Sequence, residues 1–133
     1  MSCLFCHIVK GRQPAFKVWE NRSFILLLDT KPINKGHLLL IPKRHFIDVF
    51  LMPEPWFTNL FKTAQGVAPI LRRVSTAKRI GVAIEGFGVL HVHIHLVPVN
   101  KGNELTPLRA RTASRKSLLR MQVRFASALR RLH

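Results

Sequence analysis

The chain has 133 residues, of which 47% are hydrophobic, and its 22 Lys and Arg residues against 6 Asp and Glu give a formal net charge of +16. This length suits one domain with a single core, and so few carboxylates argue against a two-carboxylate mechanism or an Asp-rich magnesium site. No apolar run reaches the roughly 18 residues of a membrane span, and the N-terminus lacks the features of a signal peptide. We therefore expect a cytoplasmic protein, not a membrane protein, with reduced or metal-bound cysteines. The excess of positive charge predicts partners that carry phosphate groups.

Apolar periodicity and turn residues predict the elements in chain order. They are a helical turn over 3–10, strands over 17–20, 24–29 and 37–41, a helix over 53–75, strands over 80–85 and 89–97, and a basic helix over 112–132. Pro69 is expected to kink or shorten the long helix. The predicted fold class is α+β, a five-stranded antiparallel sheet with a long helix packed on it and a C-terminal basic helix. We expect residues 1–133 to form one domain, with a core over 3–100 and a basic extension from about 108.

The run His91, His93 and His95 is the most informative part of the chain. The three histidines alternate with Val, Ile and Leu, and in a strand alternate side chains share a face. In a helix the three rings would point in different directions. Three neighbouring imidazoles can serve as base, nucleophile, hydrogen-bond donor or metal ligand. One alternative is a strand whose polar face happens to be histidine, and another is a catalytic metal held by all three rings.

Four stretches of the chain carry a family resemblance. They are Cys-Leu-Phe-Cys at 3–6, Phe-Ile-Leu-Leu-Leu-Asp at 24–29, Gly-His-Leu-Leu-Leu-Ile-Pro-Lys-Arg-His at 36–45 and His-Val-His-Ile-His-Leu-Val-Pro at 91–98. Together they closely resemble the histidine triad (HIT) family of nucleotide hydrolases and transferases. The resemblance implies cleavage of a phosphoanhydride or phosphoramidate bond at the α-phosphorus of a nucleotide. Dinucleoside polyphosphates and nucleoside phosphoramidates are the substrate classes that it suggests, and it also implies a two-fold homodimer.

The same resemblance implies the roles of the histidines. His93 would be the nucleophile that forms a nucleotidyl-histidine intermediate, which water then hydrolyses. An attacking imidazole must be unprotonated on one nitrogen and held by a hydrogen bond on the other. His95 and His37 would contact the phosphate oxygens and the leaving group. No catalytic cofactor is expected.

A nucleotide site is expected around the loop that follows the second strand. The resemblance assigns the ribose hydroxyls to Asp29, although an aspartate at this place is also a common turn residue. Backbone N–H groups at Gly86 and Gly88 could bind phosphate, although Gly-x-Gly also fits a simple turn between strands. Relatives carry Gln and Ser or Thr where this chain has Phe87 and Gly88. The candidates for the base pocket, each of which could be ordinary core, are Phe5, Ile8, Phe24 and Ile33.

Cys3 and Cys6 form a Cys-x-x-Cys motif that is compatible with a redox pair, half of a zinc site or two small buried residues. A zinc site needs two further nitrogen or sulfur ligands. His45 and His91 are the candidates, since relatives with this motif place zinc at matching positions. Such a site would be structural and would remove His91 from the phosphate-facing set.

The C-terminal helix carries an apolar stripe and a dense set of cations. Leu118, Gln122, Phe125, Leu129 and Leu132 form the predicted stripe. The basic residues suggest contact with RNA or polyphosphate, and a nucleic-acid-binding module is the alternative function. A solvated basic face over a packed stripe is the simpler interpretation. No aromatic residues alternate with the arginines, so a base-stacking platform is not expected.

Overall fold

The structure, a computed structural model, describes residues 2–133. Its elements are α1 (Leu4–Val9), β1 (Lys17–Glu20), β2 (Phe24–Leu28), β3 (Leu38–Pro42), α2 (Trp56–Ser75), β4 (Arg79–Ala83), β5 (Ile94–Val99) and α3 (Arg115–Leu129), with single 3-10 turns at Val49–Leu51 and Pro107–Arg109. The strands form one sheet in the order β1-β2-β3-β5-β4, and every pair is antiparallel. The predicted fold class is therefore confirmed.

The sheet is covered on both faces, which explains the continuous apolar runs of β2 and β3. On one face Leu26, Leu40 and Ile94 pack with α2 and α3 in the main core. On the other face Ile25 and Leu39 pack with α1 in a smaller cluster. Since side chains alternate along a strand, each residue of these strands is buried on one side or the other. The strands contact both clusters, and residues of the candidate functional site lie on the face of the sheet that carries the smaller cluster.

The histidine strand begins later than predicted. β5 starts at Ile94, and its register with β3 pairs Leu40 with Ile94, so Val92 would come opposite Pro42. Proline has no N–H for the ladder, and the Val92 N–H donates instead to Phe46 O at 2.7 Å. The alternation survives this break, because Val92 and Ile94 still lie in the main core.

The turn around Gly86 and Gly88 also differs from the prediction. β4 ends at Ala83 and β5 begins at Ile94, so residues 84–93 form a loop rather than a tight turn. Both glycines are exposed and have positive φ, +88° and +79°. This conformation favours glycine, so the loop depends on them.

The helices differ from expectation mainly at their ends. α2 begins at Trp56 rather than residue 53 and continues through Pro69, so the proline does not shorten it. Pro69 lies on the exposed side, where water can satisfy the carbonyl that its missing N–H leaves free. In α3 the predicted stripe holds for Leu118, Phe125 and Leu129, whereas Gln122 is half-buried and donates to Lys17 O. Among residues 2–133, no helix combines the length and apolar character needed to cross a membrane.

Candidate active site

His93 has the geometry of a nucleophile. Its Nδ1 lies 2.7 Å from His91 O, and because a carbonyl can only accept, Nδ1 carries the proton. The Nε2 atom of the neutral ring is then unprotonated. The side chain is 9% exposed, and the Phe5 ring meets it edge-on at 5.1 Å between centroids. The ring is thus held in one orientation with one basic nitrogen.

A second pair of histidines forms a hydrogen-bonded chain that starts from the backbone. The Ile33 N–H donates to His37 Nδ1 at 3.0 Å, so the proton of His37 is on Nε2. His37 Nε2 lies 2.9 Å from His95 Nδ1 and donates to it. The neutral His95 ring consequently carries its proton on Nε2, which makes that atom a donor. One backbone N–H thereby fixes the tautomers of two rings.

His37 lies behind His95 rather than at the surface, since it is only 2% exposed. Burial lowers the pKa of His37 to about 4; Asp29 partly opposes this effect, and His95 adds to it. Burial also lowers the pKa of His95, and the neighbouring His93 lowers it further. Both rings are therefore neutral at pH 7, as the chain of hydrogen bonds requires.

Asp29 joins this chain and also forms a turn. Its Oδ2 lies 3.5 Å from His37 Nε2, and its Oδ1 accepts the Lys31 N–H at 2.8 Å. The second contact closes a local turn, which is the alternative role that the sequence suggested for Asp29. The Asp29 side chain nevertheless lines a cavity, so its part in the turn does not remove it from the cavity wall.

This cavity has a volume of about 540 Å³, within the range of small-molecule sites. Two of its lining residues lead to the histidines: Phe5 touches the His93 ring, and Asp29 lies beside His37. The lining also includes Ile8, Leu27, Leu39, Arg115, Leu119 and Gln122. The first three are apolar and come from α1, β2 and β3, while the last three come from α3.

A second cavity of about 350 Å³ opens on His93 itself. Its lining includes Gly86, Phe87 and Phe50, together with the carboxylate of Glu85. Gly88 is not among its lining residues. His93 therefore lines this smaller cavity directly and is linked to the larger one through its contact with Phe5.

The candidate base-pocket residues divide into three groups. Phe5 and Ile8 line the larger cavity. Ile33 does not, and its contribution is the backbone N–H that holds His37. The assignment of Phe24 is wrong, because β2 points this side chain into the main core, where its ring packs 5.8 Å from Trp56. The alternation of β2 places Leu27, not Phe24, on the site face.

Several lining residues of the larger cavity were not predicted from the sequence. Leu27 and Leu39 could have been found from strand alternation, because they share the face of His95. Arg115, Leu119 and Gln122 carry no local signal, since only the packing of α3 beside β1 brings them to the cavity.

Cys3, Cys6, His45 and His91 meet beside the active site, with ligand atoms all within 4.8 Å of one another. The contacts are 3.3 Å from Cys3 Sγ to His91 Nδ1, 3.3 Å from Cys6 Sγ to His45 Nδ1, and 3.1 Å between the two Nδ1 atoms. A tetrahedral zinc ion would separate such atoms by roughly 3.3–3.8 Å. The observed separations lie inside this range or within about 0.2 Å of it, so the four side chains fit the ion after a small outward shift of the two rings.

The outer contact of His91 supports the same fit. Its Nε2–H donates to Pro42 O at 2.7 Å, which leaves Nδ1 as the lone-pair atom that faces the cysteines. Histidines that bind metals commonly donate their other nitrogen in this way. His91 is 1% exposed and faces this cluster, whereas His95 forms a second group of potential ligands with Asp29 and His37. Among the described residues, His93 belongs to neither group, so the three histidines of the run do not share one metal.

The chain is similar to a known family profile and to several known proteins. A HIT domain profile matches residues 10–102. A HIT-like protein of Mycobacterium tuberculosis is 32% identical over 111 residues, which cover 80% of this chain and 77% of the relative. An adenosine 5'-monophosphoramidase of Candida albicans is 32% identical over 119 residues, covering 80% and 75%.

Among solved structures, a zinc-bound histidine triad family protein from Mycobacterium smegmatis superimposes with a TM-score of 0.78. It is 31% identical, and the match covers 96% of this chain and 95% of that one. The zinc belongs to that protein's structure. It is consistent with the fit of the Cys–His cluster found in this one.

Proposed function

This chain belongs to the HIT domain family, and we propose that it is a nucleotide hydrolase that acts through a nucleotidyl-His93 intermediate. The observation that carries the proposal is the 2.7 Å hydrogen bond from His93 Nδ1 to a backbone carbonyl. This bond leaves Nε2 unprotonated and fixes its direction, as a nucleophilic imidazole requires. We take residues 1–133 as one HIT-like domain around this site.

In the first step, the lone pair of His93 Nε2 forms a bond to the α-phosphorus. The bond from phosphorus to the leaving oxygen or nitrogen breaks, and the leaving group takes a proton from water. In the second step, a water oxygen attacks the same phosphorus, the P–Nε2 bond breaks, and its electron pair returns to His93. The water proton passes to solvent, so one water is consumed per turnover.

His95 stabilises the charge that develops on the phosphoryl oxygens. Its Nε2–H is a donor because His37 and the Ile33 N–H fix the tautomers behind it. Donors that are oriented before the reaction act most strongly in a partly buried site. His37 is a positioning residue in this scheme, since it is buried behind His95.

The nucleoside is proposed to occupy the cavity of about 540 Å³, with the base against Phe5 and Ile8 and the ribose hydroxyls on Asp29. The leaving group would occupy the smaller cavity that His93 lines. The exposed loop at Gly86 offers backbone N–H groups to the phosphate in place of the family's Gln and Ser or Thr side chains.

Nucleoside phosphoramidates and dinucleoside polyphosphates are the proposed substrate classes. Three fungal relatives are named as adenosine 5'-monophosphoramidases, which supports the first class. Hydrolysis of a dinucleoside polyphosphate in ¹⁸O-water tests the reaction. Attack at the α-phosphorus places the label in the nucleoside monophosphate, and label found only in the nucleoside polyphosphate product contradicts the proposal. For a nucleoside phosphoramidate, release of the amine together with the labelled nucleoside monophosphate is expected.

We also propose that Cys3, Cys6, His45 and His91 bind a structural zinc ion. When bound, the ion would tie the N-terminal segment to the loop before β5 and would supply no catalytic chemistry. Thiolate ligands persist in a reducing compartment, which supports a cytoplasmic location. Zinc content per chain, measured by mass spectrometry of the purified protein, tests the assignment, with one ion expected in the wild type and none in the Cys3→Ser/Cys6→Ser variant.

A homodimer is proposed through β4 and α2. β4 is an edge strand, with Val82 49% exposed. The rings of Phe50, Phe57 and Phe61 form a row whose two ends, Phe50 and Phe61, are exposed. A second copy would cover these groups and extend the sheet. Light scattering should find a dimer that Phe61→Glu converts to monomer, whereas Leu108→Glu, at an exposed leucine elsewhere, leaves it intact.

A further inference from the structure

The solvent side of α3 carries a row of cations that the proposed reaction does not use. Lys116, Arg120, Arg124 and Arg131 are all exposed. At 100° per residue Lys116, Arg120 and Arg124 fall within an arc of about 80° on the helix, and Arg131 follows two residues after the helix ends at Leu129. The buried residues of α3 lie on the opposite side, so this row points away from the core.

A fifth cation joins the row from α2. Arg124 Nη2 donates to Val74 O at 3.1 Å near the end of α2, while Leu132 packs against Gly66 two turns earlier. The two helices are therefore antiparallel here, and Arg73 follows Gly66 by two turns on the side that faces α3. We name Arg73, Lys116, Arg120, Arg124 and Arg131 the basic face.

The basic face has no acidic residue beside it on its own helices, because neither α2 nor α3 contains Asp or Glu. The six acidic residues of the chain lie elsewhere. Glu20 pairs with Lys17 and Lys43, Glu104 pairs with Arg109, Asp48 and Glu54 bond the N–H groups of Phe50 and Thr58, and Asp29 and Glu85 line the two cavities. The positive field of this surface is thus not neutralised within the chain.

Helix stability explains only part of the basic face: Arg73, Arg124 and Arg131 lie near helix C-terminal ends, where cations are favourable, but the cations inside α3 are unfavourable for it. Like charges four residues apart, such as Lys116 with Arg120 and Arg120 with Arg124, destabilise a helix by roughly 0.2–0.5 kcal/mol per pair. Lys116 also lies in the first turn, where the helix dipole disfavours cations. A partner with negative charge would remove both effects.

We propose that the basic face binds the phosphodiester backbone of nucleic acid. α3 is about 22 Å long, and a duplex of that length carries about 13 phosphates, more than enough for five contacts. The only aromatic residue of α3, Phe125, is buried, so the contact does not depend on base stacking or sequence. The exposed apolar residues of α3, Leu119 and Val123, are too few to anchor the helix in a membrane.

Nucleic acid on the basic face would leave the active site open. The residues of α3 that line the larger cavity, Arg115, Leu119 and Gln122, lie on another side of the helix. Binding and hydrolysis are therefore separable by substitution. Failure of one does not imply failure of the other.

The experiment measures binding of the full chain to fluorescent 20-base-pair RNA and DNA duplexes by anisotropy, between 50 and 200 mM salt. Five phosphate contacts predict a slope of about −4.5 in log K against log salt, or a loss of about 500-fold in affinity over this range. Arg120→Gln/Arg124→Gln should reduce the slope to about −2.7, or about 40-fold. Arg12→Gln/Arg22→Gln removes the same charge from exposed positions elsewhere and should keep the wild-type slope.

Binding to either duplex with these slopes supports the proposal. The duplex that binds more tightly shows whether RNA or DNA supplies the phosphodiester backbone. Equal loss of slope in the two double variants overturns it, because net charge alone would then explain binding. Stronger capture by vesicles containing 30% phosphatidylserine than by either duplex also overturns it. Hydrolytic activity of Arg120→Gln/Arg124→Gln should equal that of the wild type.

Discussion

His91 and His93 are two residues apart, yet they belong to two regions with different chemistry. His91 is turned toward two sulfurs and another imidazole, and its outer nitrogen donates to Pro42 O. His93 donates its Nδ1 proton to the carbonyl of His91 itself, so its unprotonated nitrogen is Nε2, and the residue lines the smaller cavity. The residue of the Cys–His cluster thus supplies the carbonyl that orients the proposed nucleophile. The two regions differ in which ring nitrogen is held by a backbone carbonyl: Nε2 in His91 and Nδ1 in His93.

The largest contrast is expected between His93→Ala and His91→Ala. Removing His93 deletes the attacking atom and should lower kcat by about 10⁴-fold or more, with little change in unfolding free energy. His91→Ala should mainly lower stability. Steady-state hydrolysis and urea denaturation of both variants measure the contrast, and near-normal turnover by His93→Ala would exclude the covalent route.

Loss of the Cys–His cluster should act on the fold. Cys3→Ser/Cys6→Ser, or chelation of the wild type, should lower the unfolding free energy by about 4 kcal/mol if free zinc exceeds its Kd by about 1,000-fold. The thermal transition in the presence and absence of a chelator gives this value. A chelator that stops turnover without shifting Tm would instead indicate a catalytic metal.

Acid should weaken the fold through the histidine chain behind the active site. His37 has a pKa of about 4 when folded, whereas an unfolded histidine titrates near about 6.5. The unfolded state takes up this proton first as pH falls, so stability is lost from pH 6.5 down to 4, by about 3 kcal/mol.

His37→Gln isolates this contribution, because glutamine does not titrate and can still bond Ile33 and His95. Urea unfolding of both proteins at several pH values between 7 and 4 measures the difference. Parallel pH dependence in the two proteins would show that His37 is not the group responsible.

The smallest effect is expected on catalysis by His37→Gln. Loss of the imidazole behind His95 should lower kcat by about 10- to 100-fold, since one positioned hydrogen bond is weakened. The KM should change little, because His37 is buried and does not line either cavity. A change confined to KM would mean that His37 contacts the substrate directly.

Much of the fold was predictable, because β2 and β3 are continuous apolar runs and the helices have clear amphipathic periods. The strand boundary at Ile94 was not, since it depends on Pro42 coming opposite Val92 in the register. The grouping of Cys3 with His91, 88 residues away, followed from family resemblance, and spacing alone left it open. The tautomers of His37, His93 and His95 depend on backbone groups that only the folded chain brings near. The error at Phe24 arose because the sequence showed an apolar strand without showing which face carried the site.

The covalent route is tested most directly by mass spectrometry of the intact wild-type chain, quenched in the first turnover with adenosine 5'-phosphoramidate and kept at alkaline pH. We expect an added adenylate group that maps to His93 by peptide fragmentation and is absent from His93→Ala. Label on His91 or His95, or steady hydrolysis with unmodified protein at every quench time, would contradict this route.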